Sequence, residues 1–345
     1  MKTYLLVLAL ACAGTVASAQ SNWDKTPYQT KSLSGDAIKN VIVKTSGGSI
    51  TVSGGGESPR VEIFVNGNNG QELSKEEIDK RLAEDYTLDV SVSNHELRAT
   101  AKRKHEGFNI NWKRQLSISF KVYTGKDVDT HLSTSGGSIH LSNLSGHEEF
   151  ETSGGSLHVA GLTGVIKGGT SGGSIEVFDS KDNISLETSG GSVRATNCQG
   201  TIKLGTSGGS VRMVALKGTI HAETSGGSIN GHDIEGELIT GTSGGSVNLS
   251  NMACSLDAST SGGSMHVEVT KLGKYVKLES SGGHVDLRLP DGQGMNLDLS
   301  ASKINKVTLT KFSGEWEKDR VKGTINGGGV PVKVDASDSL NLSFN

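Results

Sequence analysis

Thr206-Ser207-Gly208-Gly209-Ser210-Val211 is one of eight copies of a single phrase, Thr-Ser-Gly-Gly-Ser followed by an apolar residue. The copies begin at Thr134, Thr152, Thr170, Thr188, Thr206, Thr224, Thr242 and Thr260, always 18 residues apart. A further copy begins at Thr45, and a degraded one, Ser280-Ser281-Gly282-Gly283-His284, follows after a step of 20. A fixed period of this kind marks a repeat array whose units bury their apolar faces only against one another. After each glycine pair comes a short alternating run such as Ile175-Glu176-Val177 or Val193-Arg194-Ala195. A corner follows (Asn143-Leu144-Ser145-Gly146, Gly161-Leu162-Thr163-Gly164), then a second alternating run such as Ile202-Lys203-Leu204-Gly205-Thr206. Period two puts one side chain in and the next out, and the glycines suit corners. The expected fold is all-β: a parallel β-solenoid of 18-residue two-strand coils, stacked at about 4.8 Å in two sheets. A small α+β cap is expected at the N-terminal end and an irregular β cap at the C-terminal end.

Two other solenoids fail on the residues. A hexapeptide helix needs an apolar residue every six, yet six and twelve beyond Ile175 lie Lys181 and Glu187. A calcium-binding nonapeptide roll needs Asp beside its glycines, where this chain has Ser and Thr. The 48 glycines lack a three-residue period, which excludes a collagen-like chain, and a net charge of −3 does not point to nucleic acid.

Residues 1–19 read as a secretory signal, with Lys2, the apolar run Tyr4–Ala11 and Ala17-Ser18-Ala19 before Gln20. Cys12 offers a competing lipidation reading, weakened by Leu10 in its lipobox position. No transmembrane segment is expected in the mature chain. Cys198 and Cys254 lie three coils apart, roughly 14 Å at the stacking distance, too far for the 7 Å limit of a disulfide, so both read as unpaired packing residues.

Residues 20–40 read as a leader with little pattern, and 41–133 as a first rung followed by a capping insert. In that insert Ser74-Lys75-Glu76-Glu77 signals a helix over 75–84. Its basic, aromatic-containing loop 102–114, with Phe108, Trp112 and Arg114, reads as cap or solvated loop before anion site. Regular coils are expected over 134–283 and an irregular cap over 284–345, with Asn326-Gly327-Gly328-Gly329 as a last corner. On the first strand the inward column is Leu141, Val159, Val177, Ala195, Met213, Gly231, Leu249 and Val267, where Met213 fills the room left by its small neighbours. The corner threonines face inward and must find hydrogen-bond partners. If Gly208 or Gly209 holds positive φ, a β-branched replacement there is strained.

The signal sequence, the Thr-Ser-Gly-Gly-Ser-Ile coils, the Asn-Leu-Ser-Gly corner and the closing Thr-Ile-Asn-Gly-Gly-Gly resemble the "putative adhesin" domain family of exported bacterial proteins. The resemblance runs from about Asn40 to the C-terminus. It implies a β-solenoid in the cell envelope, periplasm or extracellular space, and it carries no catalytic residues.

Function is read from the outward ladder. On the first strand it runs His140, His158, Glu176, Arg194, Arg212, Asn230, Asn248, His266, Asp286. Its first five residues, His140, His158, Glu176, Arg194 and Arg212, are the candidate binding site for an anionic glycan or surface polymer. Glu176 is expected to relieve part of the Arg194–Arg212 repulsion, and the two histidines to add charge below about pH 6.5. The second row (Glu149, Lys167, Ser185, Lys203, His221, Ile239, Asp257, Lys277) reads as a solubilising surface. His140 and His158 could share a metal, but two ligands do not make a site, and no cofactor is expected. Coils without insertions leave no loops to build a catalytic groove, so the chain is expected not to be an enzyme. The two functional expectations are an adhesin-like binding protein, with a glycan or envelope protein as partner, and an envelope scaffold without a small ligand.

Overall fold

The structure, a computed structural model, describes residues 26–56, 58–68, 71–104, 114–305 and 311–345. The signal-sequence reading, Cys12, Phe108 and Trp112 lie outside them. The described residues are all-β apart from one helix, Lys75–Asp85, and none of their helices is long and apolar enough to cross a membrane.

Strands pair in parallel with the strands 18 residues later. Leu157–Ala160 lies between Ile139–Ser142 and Ile175–Phe178. Thr163–Thr170 likewise lies between Ser145–Thr152 and Lys181–Thr188, with Thr170 opposite Thr152 and Thr188. The inward column from Leu141 to Val267 is buried throughout. Large sits against small, as the periodicity predicts: a Cβ on Gly168 would lie 2.1 Å from the Phe150 ring. Cys198 and Cys254 are buried free thiols, and burial pushes the Cys254 thiol up to about 12. The two faces are not separate sheets. From Val211 onward the two strands of a repeat merge into Val211–Thr224, Ile229–Thr242 and Val247–Thr260, and pairing continues through the corner. One hydrogen-bonded sheet results.

The repeated phrase has a physical reason at nearly every position. The Thr206 hydroxyl donates to the Gly191 carbonyl of the preceding repeat at 2.7 Å and accepts from the Gly209 N–H at 3.2 Å. The same pair of bonds recurs at Thr152, Thr170, Thr188, Thr224, Thr242 and Thr260. The N–H of the fifth residue, Ser210, donates to the Ser192 hydroxyl beneath it at 3.1 Å. Thr206→Val keeps the shape and loses both hydroxyl bonds. It is expected to lower stability by about 1–3 kcal/mol, measurable by denaturation, while Thr206→Ser is expected to retain most of it.

The glycine expectation needs correction. Neither Gly208 nor Gly209 has positive φ; the left-handed residues sit at the other corner, at Asn143, Gly161, Asp179, Asn197, Ala215, Asp233 and Asn251. Asn, Asp and Gly tolerate that conformation best. The second glycine of the phrase is required by close backbone stacking: a Cβ on Gly209 would stand 2.1 Å from the Gly191 carbonyl oxygen.

At the N-terminal end, Asn40–Thr45 and Ile50–Gly54 pair in parallel with Asp129–Thr134 and Ile139–Ser142. The first rung therefore stacks directly on the regular array, with the Thr134 hydroxyl on the Gly48 carbonyl at 2.8 Å. Glu96–Arg103 and Leu116–Thr124 cover the outer edges of that rung, which would otherwise be unpaired. The helix packs Ile78 and Leu82 inward, with the Ser74 hydroxyl accepting from the Glu77 N–H at 3.3 Å. Arg114 is tied to Glu84 at 2.5 Å and Asp85 at 3.1 Å. The described part of the stretch read as a leader, residues 26–40, joins the fold: Gln29–Ser32 pairs antiparallel with Arg60–Gly67, and Leu33 is fully buried.

The C-terminal end departs from chain order. Val330–Phe344 pairs in parallel with both Val276–Ser280 and Val285–Leu289, and so inserts ahead of the earlier segment Met295–Asn305, which stacks on it. Arg320–Ile325 runs antiparallel to Met295–Asn305. Asn326–Gly329 thus reverses the chain and is not a coil corner, and Asn326, Gly327, Gly328 and Gly329 all have positive φ.

Candidate functional site

Parallel register makes the five candidate residues consecutive partners: His140 with His158, His158 with Glu176, Glu176 with Arg194, and Arg194 with Arg212. They share the outward face because the flanking positions, from Ile139 and Leu141 to Val211 and Met213, fill the core. The His140 and His158 rings stack with centroids 4.7 Å apart and planes 12° apart. His158 Nδ1 lies 3.4 Å from Glu176 Oε2.

Two details differ from the sequence expectation. Glu176 turns toward His158, and Arg194 and Arg212 form no ion pair among the described residues. Desolvation, and then the neighbouring His158, hold the His140 imidazole down to about 4, although the residue's outer edge is exposed. His140 therefore stays neutral at pH 5.5 and adds no charge to the row.

Beyond Arg212 the row continues through Asn230 and Asn248, whose side chains bond at 3.2 Å, to His266 and Asp286. Here the surface is concave, a groove of about 700 Å³ with Arg212 at one end and Asp286 and Asn341 toward the other. A second trough, about 890 Å³, follows the Thr-Ser corners, where Glu151, Glu187 and Glu223 alternate with Gly169, Gly205 and Gly241. Two of its carboxylates are engaged, Glu187 with Lys203 at 2.7 Å and Glu223 with His221 at 2.9 Å.

Residues 235–339 match the family model described as Toastrack DUF4097. The matched segment holds the last regular repeats and most of the C-terminal cap, less than a third of the chain. Among solved structures the chain is similar to a "putative cell adhesion protein" from Clostridium sporogenes, at 11% identity and a TM-score of 0.22, covering 92% of this chain and 98% of that one. A likeness that weak decides nothing about fold or function. No curated protein matches the chain.

Two chemically distinctive residues escaped the sequence reading. Glu148 is fully buried in the second-strand column, between Thr130 and Ile166. Alternation back from inward Phe150 would have found it. His284, inside the matched segment, occupies the position that is Ser in the regular repeats, and that departure was its signal.

Proposed function

We propose that the chain is an exported, envelope- or surface-associated parallel β-solenoid that binds an anionic glycan or similar acidic surface polymer along its outward row. The observation that carries this reading is the Arg194–Arg212 pair: two exposed guanidiniums on consecutive strands, free of ion pairs among the described residues. Charge that is left uncompensated within the protein is available to carboxylate or sulfate groups, and Arg is suited to bidentate contacts with such anions. A continuous row of side chains at one-repeat spacing suits a polymer better than a compact ligand. The role is binding without catalysis, and the signal-like residues 1–19 support export.

Arg194→Ser/Arg212→Ser is expected to weaken binding to an acidic polysaccharide roughly 10-fold or more and to leave the melting temperature unchanged. Binding of the parent is expected to weaken from low to high salt. Arg194 and Arg212 are the two permanently charged cations among the five candidate residues. Affinity that survives the double substitution, or a parent that binds none of a panel of acidic glycans, would leave the chain as a scaffold.

A further inference from the structure

The degraded tenth motif builds a second kind of site. His284 stands where the regular repeats carry Ser, and its Nδ1 lies 3.0 Å from the Ser264 hydroxyl of the repeat before. Asp286, two residues on, shares its face and is the register partner of His266. His266 Nδ1 lies 2.7 Å from Asp286 Oδ2, and His284 Nε2 lies 3.5 Å from the same oxygen. One donor atom from each of the three residues falls within 4.8 Å of the others, and this is the one such trio among the described residues. The two rings meet edge to face, with centroids 5.2 Å apart.

The surroundings orient the trio. The Asn341 side-chain amide donates to Asp286 Oδ1 at 2.6 Å, leaving Oδ2 turned to the imidazoles. The Ser264 contact occupies His284 Nδ1 and leaves Nε2 facing the carboxylate. Outer partners of this kind fix the orientation of metal-ligating His and Asp side chains. His266 and Asp286 also line the 700 Å³ groove, which leaves the outer side open to water or to a ligand.

We propose that His266, His284 and Asp286 bind a divalent first-row transition ion, with zinc as the representative case. Two imidazoles and one carboxylate with an open fourth position match a tetrahedral zinc set, whereas calcium and magnesium take oxygen ligands. Zinc bonds of about 2.0–2.1 Å place ligand atoms about 3.3 Å apart. The 2.7 Å contact then opens and the 3.5 Å contact closes, movements within reach of side-chain rotation on backbone held by the ladder. His140, His158 and Glu176, although also two imidazoles and a carboxylate, do not bring one donor atom each within such a distance among the described residues.

The test is titration of the full mature chain with Zn²⁺ against a chromophoric chelator, with Co²⁺ absorption as a readout of coordination and no polymer present. One ion per chain is expected in the micromolar range, with Ca²⁺ failing to compete. His284→Ser, which restores the repeat's own residue, and Asp286→Asn are each expected to weaken binding at least 10-fold with an unchanged circular-dichroism spectrum. His158→Ser is expected to leave affinity and stoichiometry intact. No binding at 100-fold the expected concentration, affinity unmoved by His284→Ser and Asp286→Asn, or equal loss in His158→Ser would overturn the assignment. Because Arg194 and Arg212 play no part in this measurement, its outcome is separate from that of the glycan reading.

Discussion

Gly209→Ala is expected to destabilise the protein by about 3 kcal/mol or more, whereas Gly208→Ala, one residue earlier, is expected to stay near the parent. A Cβ on Gly209 would lie 2.1 Å from the Gly191 oxygen and 2.4 Å from its carbon, both backbone atoms without a flexible end to move aside. The Gly191 carbonyl also accepts the Thr206 hydroxyl, so separating the two repeats breaks that bond as well. For Gly208 the nearest atom would be the Gly190 oxygen at 3.4 Å, close to ordinary contact. Lys203→Val serves as an outer-face control. Its ion pair with Glu187 is exposed on both sides, and such pairs contribute little. Denaturation of the three variants checks this, and equal tolerance at Gly208 and Gly209 would refute the stacking explanation. In an array held by nearest-neighbour contacts, hydrogen-exchange protection is expected to fall first in the repeats flanking Gly209.

The second large effect concerns Glu148. Its register neighbours in the inward column are Thr130 and Ile166, and the column continues as Ile184, Ile202 and Ile220. Its Oε2 accepts from the Thr130 hydroxyl at 2.5 Å, while Oε1 has no partner. Burial pushes the carboxyl up to about 7; the Thr130 bond opposes this and nearby Asp129 adds to it. The folded value thus lies above the ordinary 4.5, and the native state favours the protonated acid. Stability from this residue is full below about pH 4.5 and is lost as pH rises toward 7, by about 3 kcal/mol in all. Glu148→Gln is expected to remove that pH dependence, and Glu148→Ile to raise stability at pH 8 by about 3 kcal/mol or more, since it also buries apolar surface. Denaturation at pH 4.5 and pH 8 reads both effects. An unchanged pH dependence in Glu148→Gln would mean that the carboxyl reaches water.

Most of the candidate row was legible because strand alternation fixes which side chains face outward, and an 18-residue period fixes which of them are neighbours. The order from His140 through Arg212 follows from the period alone. Side-chain choices within the row were not legible: whether Glu176 turns to His158 or Arg194 depends on rotamers, and desolvation of His140 depends on what stacks against it. The cap strand Gln29–Ser32 was missed because it pairs at an edge and shows no buried alternation, only Leu33 just beyond it.

By itself the sequence determined the repeat, the strand period, the inward and outward faces, the helix after Ser74 and the cysteines' isolation. All of these follow from local spacing, which survives without knowledge of distant contacts. Only the tertiary structure decided why the second glycine is obligatory, since the atom it avoids lies 18 residues away in the Gly191 carbonyl. It also decided that Val330–Phe344 inserts ahead of Met295–Asn305, an order that depends on which exposed ladder edge a strand finds. And it decided that His284 meets His266 and Asp286, because a one-residue departure from the repeat acquires chemistry only when the neighbouring strand supplies the other ligands.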